Sequence, residues 1–477
     1  MSIELGIDRP VDAREGAAIH DFLTAHGAAI EHELMDWVRL PSVAGDRAHS
    51  PALTRSSVQL ATILRQTGFP RVEVWRQGES PTVYAEWMAE PSAPTVLIYS
   101  HHDVRTPAGE KWIECEPFHP IVREGMLFGR GSSDAKGQVL AHVWGIRAHL
   151  AASGRSAPAV NLKFLVEAEQ EIGSPHLRAL LEDHRADLAS DLVVFTDTML
   201  ADAEHPALCT SVRGVLDARI TVHGLHHDAH SGAVSGPAPN PIVDLAGLLA
   251  RLHDDQGRIT LPEFYDRVGT PDADQRRDFA LLDLDDEKWA SQWGTDRICG
   301  ERGYTIPELL WARPALEVIN IQGGDLAQPP RAVIASEATA ELRIHTVDGQ
   351  RADEVGNQLR RWLQREASGM NWDLHLSNQT AQDPYRTPDI PAVELLAGAM
   401  AEGFGTDDVG RMGNAGGGPA DLLGCLLEAP VLFFGTGQVT DGWHVADEHV
   451  ELEVLRKGAA TLAGFWSRLG AAAYAGH

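Results

Sequence analysis

Residues 95–103 read TVLIYSHHD: six positions dense in β-branched and aromatic side chains, then two histidines and an aspartate. Such a run suits a strand buried on both faces, and strands of that kind lie in sheets covered by helices on each side. The same composition recurs at 160–167 (VNLKFLVE), 192–197 (LVVFTD) and 431–434 (VLFF). Upstream, Ile19, Phe22, Leu23, Ile30, Leu34 and Trp37 follow a three-to-four spacing, which predicts helix over roughly the first 40 residues. The outer parts of the chain therefore read as a two-sided α/β domain.

The pattern changes near Thr210. Leu216, Ala218, Ile220 and Val222 alternate with Asp217, Arg219 and Thr221; Ala338, Ala340, Leu342 and Ile344 alternate with Glu337, Thr339, Glu341, Arg343 and His345. Period-two alternation marks strands with one wet face. Each precedes an amphipathic helix, one at 242–252 and one carried by Val355, Leu359, Trp362 and Leu363. The expected organisation is an α/β domain at 1–210 and 385–477 and a one-sided α+β domain inserted at 211–384. Pro384, Pro388 and Pro391 mark the return. The charged stretch 272–287 is expected to be a solvated helix or loop.

The chain has 477 residues, 43% of them apolar, and its 40 Lys and Arg against 68 Asp and Glu give a net charge of −28. That acid excess argues against nucleic acid or an anionic membrane as the main partner. Four scattered cysteines, Cys115, Cys209, Cys299 and Cys425, support neither a disulfide framework nor a cysteine zinc site, and are expected to be buried thiols. The stretch 1–15 lacks a basic segment followed by an apolar run, so no secretory leader is expected. No run approaches the ~20 apolar residues of a membrane span. A reduced, cytoplasmic protein is the expectation.

Polar clusters stand at the ends of the predicted outer strands, where α/β sites form. The first is Ser100-His101-His102-Asp103, in which His101 can face a metal while Asp103 fixes its ring. The second, at 129–137 (GRGSSDAKG), presents Asp134 from a glycine turn that opens a helix. The third, at 167–175 (EAEQEIGSP), carries Glu171; the fourth is Asp197; the fifth is Asp441-Gly442-Trp443-His444. Singly, each reads as a helix cap or a surface residue. Together, two histidines and three carboxylates make an imidazole and hard-oxygen set suited to two divalent ions. A bridging carboxylate can hold such ions ~3.5–4 Å apart for hydrolysis.

In this order the clusters resemble the dinuclear metallopeptidase family of aminoacylase, carboxypeptidase G, succinyl-diaminopimelate desuccinylase and carnosinase. The resemblance runs from about Asp36 to about Val450 and is nearest the dipeptidase branch, through HHDV, KWIECEPFHP, GRGSSDAKG and DAHSG. It implies a zinc-exopeptidase-like catalytic domain with a ferredoxin-like lid and dimerisation domain. It also implies one ion on His101, Asp134 and Asp197 and a second on Asp134, Glu171 and His444, with Asp134 bridging. Zinc is the implied metal, manganese or cobalt serving the same ligands. Asp103 becomes the orienter of His101, and Asp134–Ala135 a candidate cis peptide. His230 in DAHSG matches a histidine that reaches the partner subunit's site and supports the oxyanion, which implies a homodimer. Arg343 matches an arginine that binds the substrate's carboxylate.

Two departures stand out. The family's general base is the Glu before the metal-binding Glu, and here that position is Gln170. A carboxamide keeps the shape of a carboxylate but cannot take a proton from the attacking water, a loss of typically ~10²–10⁴ in rate. Glu169 is adjacent, but neighbouring side chains point differently. An inactivated form of an active enzyme explains the five intact ligands better than a natural non-hydrolytic relative. The second departure is at 414–419 (NAGGGP), where the family has an Arg-Glu-Gly-Gly-Ser type segment; the glycine turn with Gly417 survives to approach a substrate, and the arginine does not. The implied activity is metal-dependent hydrolysis of dipeptides or small peptides, impaired by Gln170. The alternatives are an N-acyl-amino-acid deacylase and a metal-bearing protein that binds peptides without cutting them.

Overall fold

In a computed structural model, which describes residues 13–475 apart from 79, 202, 283, 326–328, 330 and 378–380, the run at 95–100 is a strand buried from Val96 onward. The leader reading falls mostly on 1–12, outside the described residues. In chain order the strands used below are β1 (Arg71–Gln77), β2 (Ser80–Trp87), β3 (Thr95–His101), β4 (Asn161–Glu167), β5 (Leu192–Phe195), β6 (Gly214–His223), β7 (Ala315–Gly323), β8 (Glu337–Thr346), β9 (Asn371–Leu376) and β10 (Val431–Phe433). The helices are α1 (Ala13–Ala25), α2 (Gly27–Val38), α3 (Ser50–Thr67), α4 (Lys136–Ser153), α5 (Pro241–Leu249), α6 (Ala352–Glu366), α7 (Pro391–Phe404) and α8 (Leu452–Ala475). The helical stretch expected at the start is two helices, meeting at His26-Gly27, where glycine weakens helix.

The chain divides into two compact units. One runs to Thr210 and includes Thr387–Met412 and the chain from Leu422; the other is Ser211–Arg386 with Gly413–Asp421.

The first unit is built on a sheet in the order β1-β2-β4-β3-β5-β10. β1, β2 and β4 pair antiparallel, and β4, β3, β5 and β10 run parallel. Successive side chains point to opposite faces. Val96, Ile98, Phe164 and Val194 join the apolar faces of α1 to α4, α7 and α8 in one core. Leu97, Tyr99, Leu165 and Phe195 point the other way and are equally buried. This two-sided burial is why the strands read as unbroken apolar runs. β3 lies between β4 and β5, so the carboxyl ends of all three open onto one place, where ligands of α/β sheets bind.

The second unit follows the order β6-α5-β7-β8-α6-β9, and its four strands form an antiparallel sheet in the order β7-β8-β6-β9. This is the ferredoxin-like arrangement. Leu216, Ala218, Ile220, Val222, Ala340, Leu342 and Ile344 face α5 and α6, whose Leu245, Leu248, Val355, Leu359 and Trp362 complete a second core. The opposite face carries the alternate polar residues. The charged stretch 272–287 holds a helix, Ala273–Ala280, capped by Asp272, and the start of another, Asp286–Trp293. No disulfide joins the four cysteines; Cys209 alone is fully buried, while Cys299 and Cys425 are exposed because they lie outside both cores. Among the described residues no helix is long and apolar enough to cross a membrane.

Candidate metal centre

His101 closes β3, and its Nδ1 donates to the backbone oxygen of Asp103 at 3.0 Å and lies 3.3 Å from the Asp103 carboxylate. That fixes the ring with Nε2 facing two acids, 3.2 Å from Asp134 and 3.8 Å from Asp197. Asp103 also accepts the backbone N–H groups of Gln170 (3.3 Å) and Glu171 (3.0 Å), so one buried carboxylate sets both the imidazole and the turn after β4.

Asp134 sits on the turn before α4. Glu448 accepts N–H bonds from Gly131, Ser133 and Asp134 at 3.0, 3.1 and 3.0 Å and pairs with buried Arg130 at 2.8 Å. Gly131 has φ +92° and approaches Val104 so closely that a Cβ would fall 2.8 Å from its methyl, so only glycine fits. The Asp134–Ala135 peptide is cis. The second oxygen of Asp134 lies 3.1 Å from His444 Nε2, which is also 3.3 Å from Glu171. Two donor groups result, His101 with Asp134 and Asp197, and Asp134 with Glu171 and His444, each with atoms within 4.8 Å of one another. Asp134 belongs to both.

The electrostatics ask for cations. Burial pushes Asp197 and Glu171 above the usual carboxylate range, and repulsion from Asp134 adds to it. Burial opposes charging of His444, but its bonds to Asp134 and Glu171 prevail and hold it up to about 10. Three carboxylates so enclosed need positive charge beside them. His101 Nε2 and Asp197 Oδ1 are buried with no hydrogen-bond partner among the described residues. Orphaned donor atoms facing a mixed nitrogen and oxygen set fit divalent metal ions.

Gln170 touches this cluster: its Nε2 donates to Asp197 Oδ2 at 3.0 Å. Glu169 turns elsewhere, accepting from Ser80 Oγ at 2.5 Å and meeting His176 Nδ1 at 2.8 Å. Two neighbours escaped the sequence reading. Arg105 donates to the backbone oxygen of Glu171, and Glu448 holds the Asp134 turn. HHDVR places an arginine two residues past Asp103, the one available hint of the first; nothing marks the second.

The remaining candidates lie in the second unit. His230 is exposed on a two-residue strand paired with Val333, and Gly232 packs so near its ring that a Cβ would fall 2.7 Å away. Arg343 lies on β8 with both arms on Asp217, at 2.8 and 2.9 Å. Gly417 lies against Val215 and Gln382.

The profile of peptidase family M20/M25/M40 matches residues 97–468, which spans every metal-cluster residue. The chain belongs to this family. It is 28% identical over 396 residues to the human Beta-Ala-His dipeptidase, covering 81% of this chain and 77% of that one. It is 27% identical over 440 residues to a Cys-Gly metallodipeptidase of Schizosaccharomyces pombe, covering 88% and 91%. Its fold is that of human carnosine dipeptidase 1 (TM-score 0.82, 24% identity, 97% and 100% covered). A dipeptidase of Saccharomyces cerevisiae shares it (TM-score 0.82, 20% identity, 96% and 98% covered). The chain is thus a metallopeptidase homologue with the two-domain fold of metallodipeptidases.

Proposed function

We propose that this chain is a dipeptidase-type amide hydrolase built for two divalent ions, with its general base replaced by Gln170. The observation that carries the reading is the paired donor cluster sharing Asp134, with position 170 in contact with it. Bound there, two ions supply Lewis acidity to an amide carbonyl and acidity to a water. His101, Asp134 and Asp197 would hold one and Asp134, Glu171 and His444 the other; Asp103 keeps His101 turned inward. Gln170 can hydrogen-bond to an attacking water but cannot take its proton or deliver it to the leaving amine. Zinc is the proposed metal, and the cytoplasm the proposed compartment.

His230 of the partner subunit is proposed to support the oxyanion, with Gly417 and Arg343 as further substrate contacts. A homodimer through the inserted domain is supported by the edge of its sheet. Among the described residues β7 has one neighbour, and Val318, Ile319 and Ile321 on it are exposed, as are Ile242 and Val243 on α5. An apolar open edge is a template for pairing with another chain.

The test is hydrolysis of dipeptides and of N-acyl amino acids, with zinc added, by this chain and by Gln170→Glu. Turnover of dipeptides by the Glu form supports the reading, and turnover of acyl amino acids alone replaces it with a deacylase. If neither form cuts while both bind metal, the non-hydrolytic binding protein stands instead.

A further inference from the structure

Of the five residues grouped around the shared Asp134, His444 is the one its own surroundings enclose least. Its side chain is 47% exposed, against 8% at most for His101, Asp134, Glu171 and Asp197. Its backbone has φ +64°, a left-handed conformation that a residue with a Cβ seldom holds unless its neighbours impose it. In that conformation Nε2 lies 3.1 Å from Asp134 and 3.3 Å from Glu171. The backbone on either side must therefore be held from elsewhere.

Both neighbours of His444 are tied to the turn that carries Asp134. Trp443 donates from Nε1 to Ser133 Oγ at 2.7 Å, and Val445 accepts at its backbone oxygen from Arg130 at 3.1 Å. The Ser133 hydroxyl has one proton, which it donates to Asp441 at 2.5 Å, leaving the oxygen's lone pairs for the indole. Asp441 also accepts the N–H of Gln438 at 2.9 Å, so its carboxylate closes the turn it stands on. Gly437 lets the indole come close: a Cβ there would fall 2.2 Å from the Trp443 ring. Farther on, Asp447 accepts the N–H groups of Ile113 and Glu114, both at 2.9 Å. Arg130 is shared with Glu448 and Glu110 and braces the whole turn. Ser133 has the narrower task. Among the described residues its hydroxyl meets Asp441 and Trp443 alone.

We infer that Ser133 is a positioning residue for the second ion: through Trp443 it holds His444 between Asp134 and Glu171. The ion on Asp134, Glu171 and His444 depends on that hydroxyl; the ion on His101, Asp134 and Asp197 does not. The inference rests on the two-ion reading of the cluster and is independent of which amide is cut. Zinc alone is the probe, in competition with a chelator, for the chain as it stands and for Ser133→Ala, Ser133→Thr, Trp443→Phe and the Ser133→Ala/Trp443→Phe pair. His444→Gln identifies which binding step belongs to the second ion. That step should weaken roughly 10- to 100-fold in Ser133→Ala and in Trp443→Phe. The other step should keep its affinity, which also shows that the variants are folded. Ser133→Thr should restore most of the loss, and the paired variant should lose no more than either single one. Equal weakening of both steps, or no weakening of the second, overturns the inference. Fewer than two ions on the unaltered chain would overturn the two-ion reading instead, and a metal-free measurement then decides the role of Ser133. The ring resonances of His444 are identified by their loss in His444→Gln. They should move in Ser133→Ala and Trp443→Phe and stay in place in Ser132→Ala, which removes a buried hydroxyl with no partner among the described residues. Resonances that stay in Ser133→Ala, or move as far in Ser132→Ala, overturn the inference.

Discussion

The first unit gathers negative charge and the second encloses a positive one. Around Asp134, three carboxylates and two imidazoles form two groups with atoms within 4.8 Å of one another, and Asp103 and Glu448 brace the segments that present them. Around Arg213 one of the five guanidinium N–H groups is matched by a described residue, while Arg343 nearby along the sheet gives two nitrogens to Asp217. The unmatched atoms of the two regions are of opposite demand. His101 Nε2 and Asp197 Oδ1 offer lone pairs, whereas Arg213 offers protons. An unmatched buried donor set identifies its missing ligand by sign, and that of the first unit calls for cations.

Substitutions test this contrast. The largest effect is expected from Asp134→Asn in the Gln170→Glu background, where both donor groups lose their shared member. Dipeptide turnover should fall to the uncatalysed rate, read by amine release. Asp103→Ala removes the brace on His101 without touching the donors, and should weaken zinc binding ~10–100-fold by competition with a chelator. Ile319→Lys charges the open edge of β7, and should weaken self-association ~10-fold or more in sedimentation while leaving metal content unchanged.

The smallest effect concerns stability. His142 on α4 is buried against the edges of Phe164 and Phe434 with neither ring nitrogen matched, and burial pulls it from 6.5 to about 3. Its folded form refuses the proton that the unfolded chain takes. The stability from its neutral burial is therefore complete above pH 6.5 and is lost as pH falls towards 3, at up to about 1.4 kcal/mol per pH unit. His142→Phe should flatten that part of a urea-unfolding pH series.

Much of the metal cluster was legible because its members stand where composition changes abruptly. His101, Glu171 and Asp197 each follow an apolar run, and Asp134 a glycine turn. Alternation alone marked two strands of a one-sided inserted sheet, and the family resemblance supplied its ferredoxin-like form. Alternation assigns a face but not a register, however, and a register of two strands decides who meets whom. Asp217 opposite Arg343 could not be read that way, so the ion pair between them was not foreseen. Glu448 was hidden because three backbone N–H groups and a distant arginine define its role. Nor does composition show that Gly413–Asp421 packs with the second unit, which is what ties the glycine loop to Arg213.

On the proposed function the metal centre is whole, and position 170 costs it a base and nothing else. The direct measurement is the number of zinc ions bound per chain at equilibrium, by dialysis and elemental analysis, for this chain and for Gln170→Glu. Two ions are expected on each. One ion or none on the Gln170 chain, with two on the Glu form, would contradict it, because Gln170 would then be part of what holds the metal.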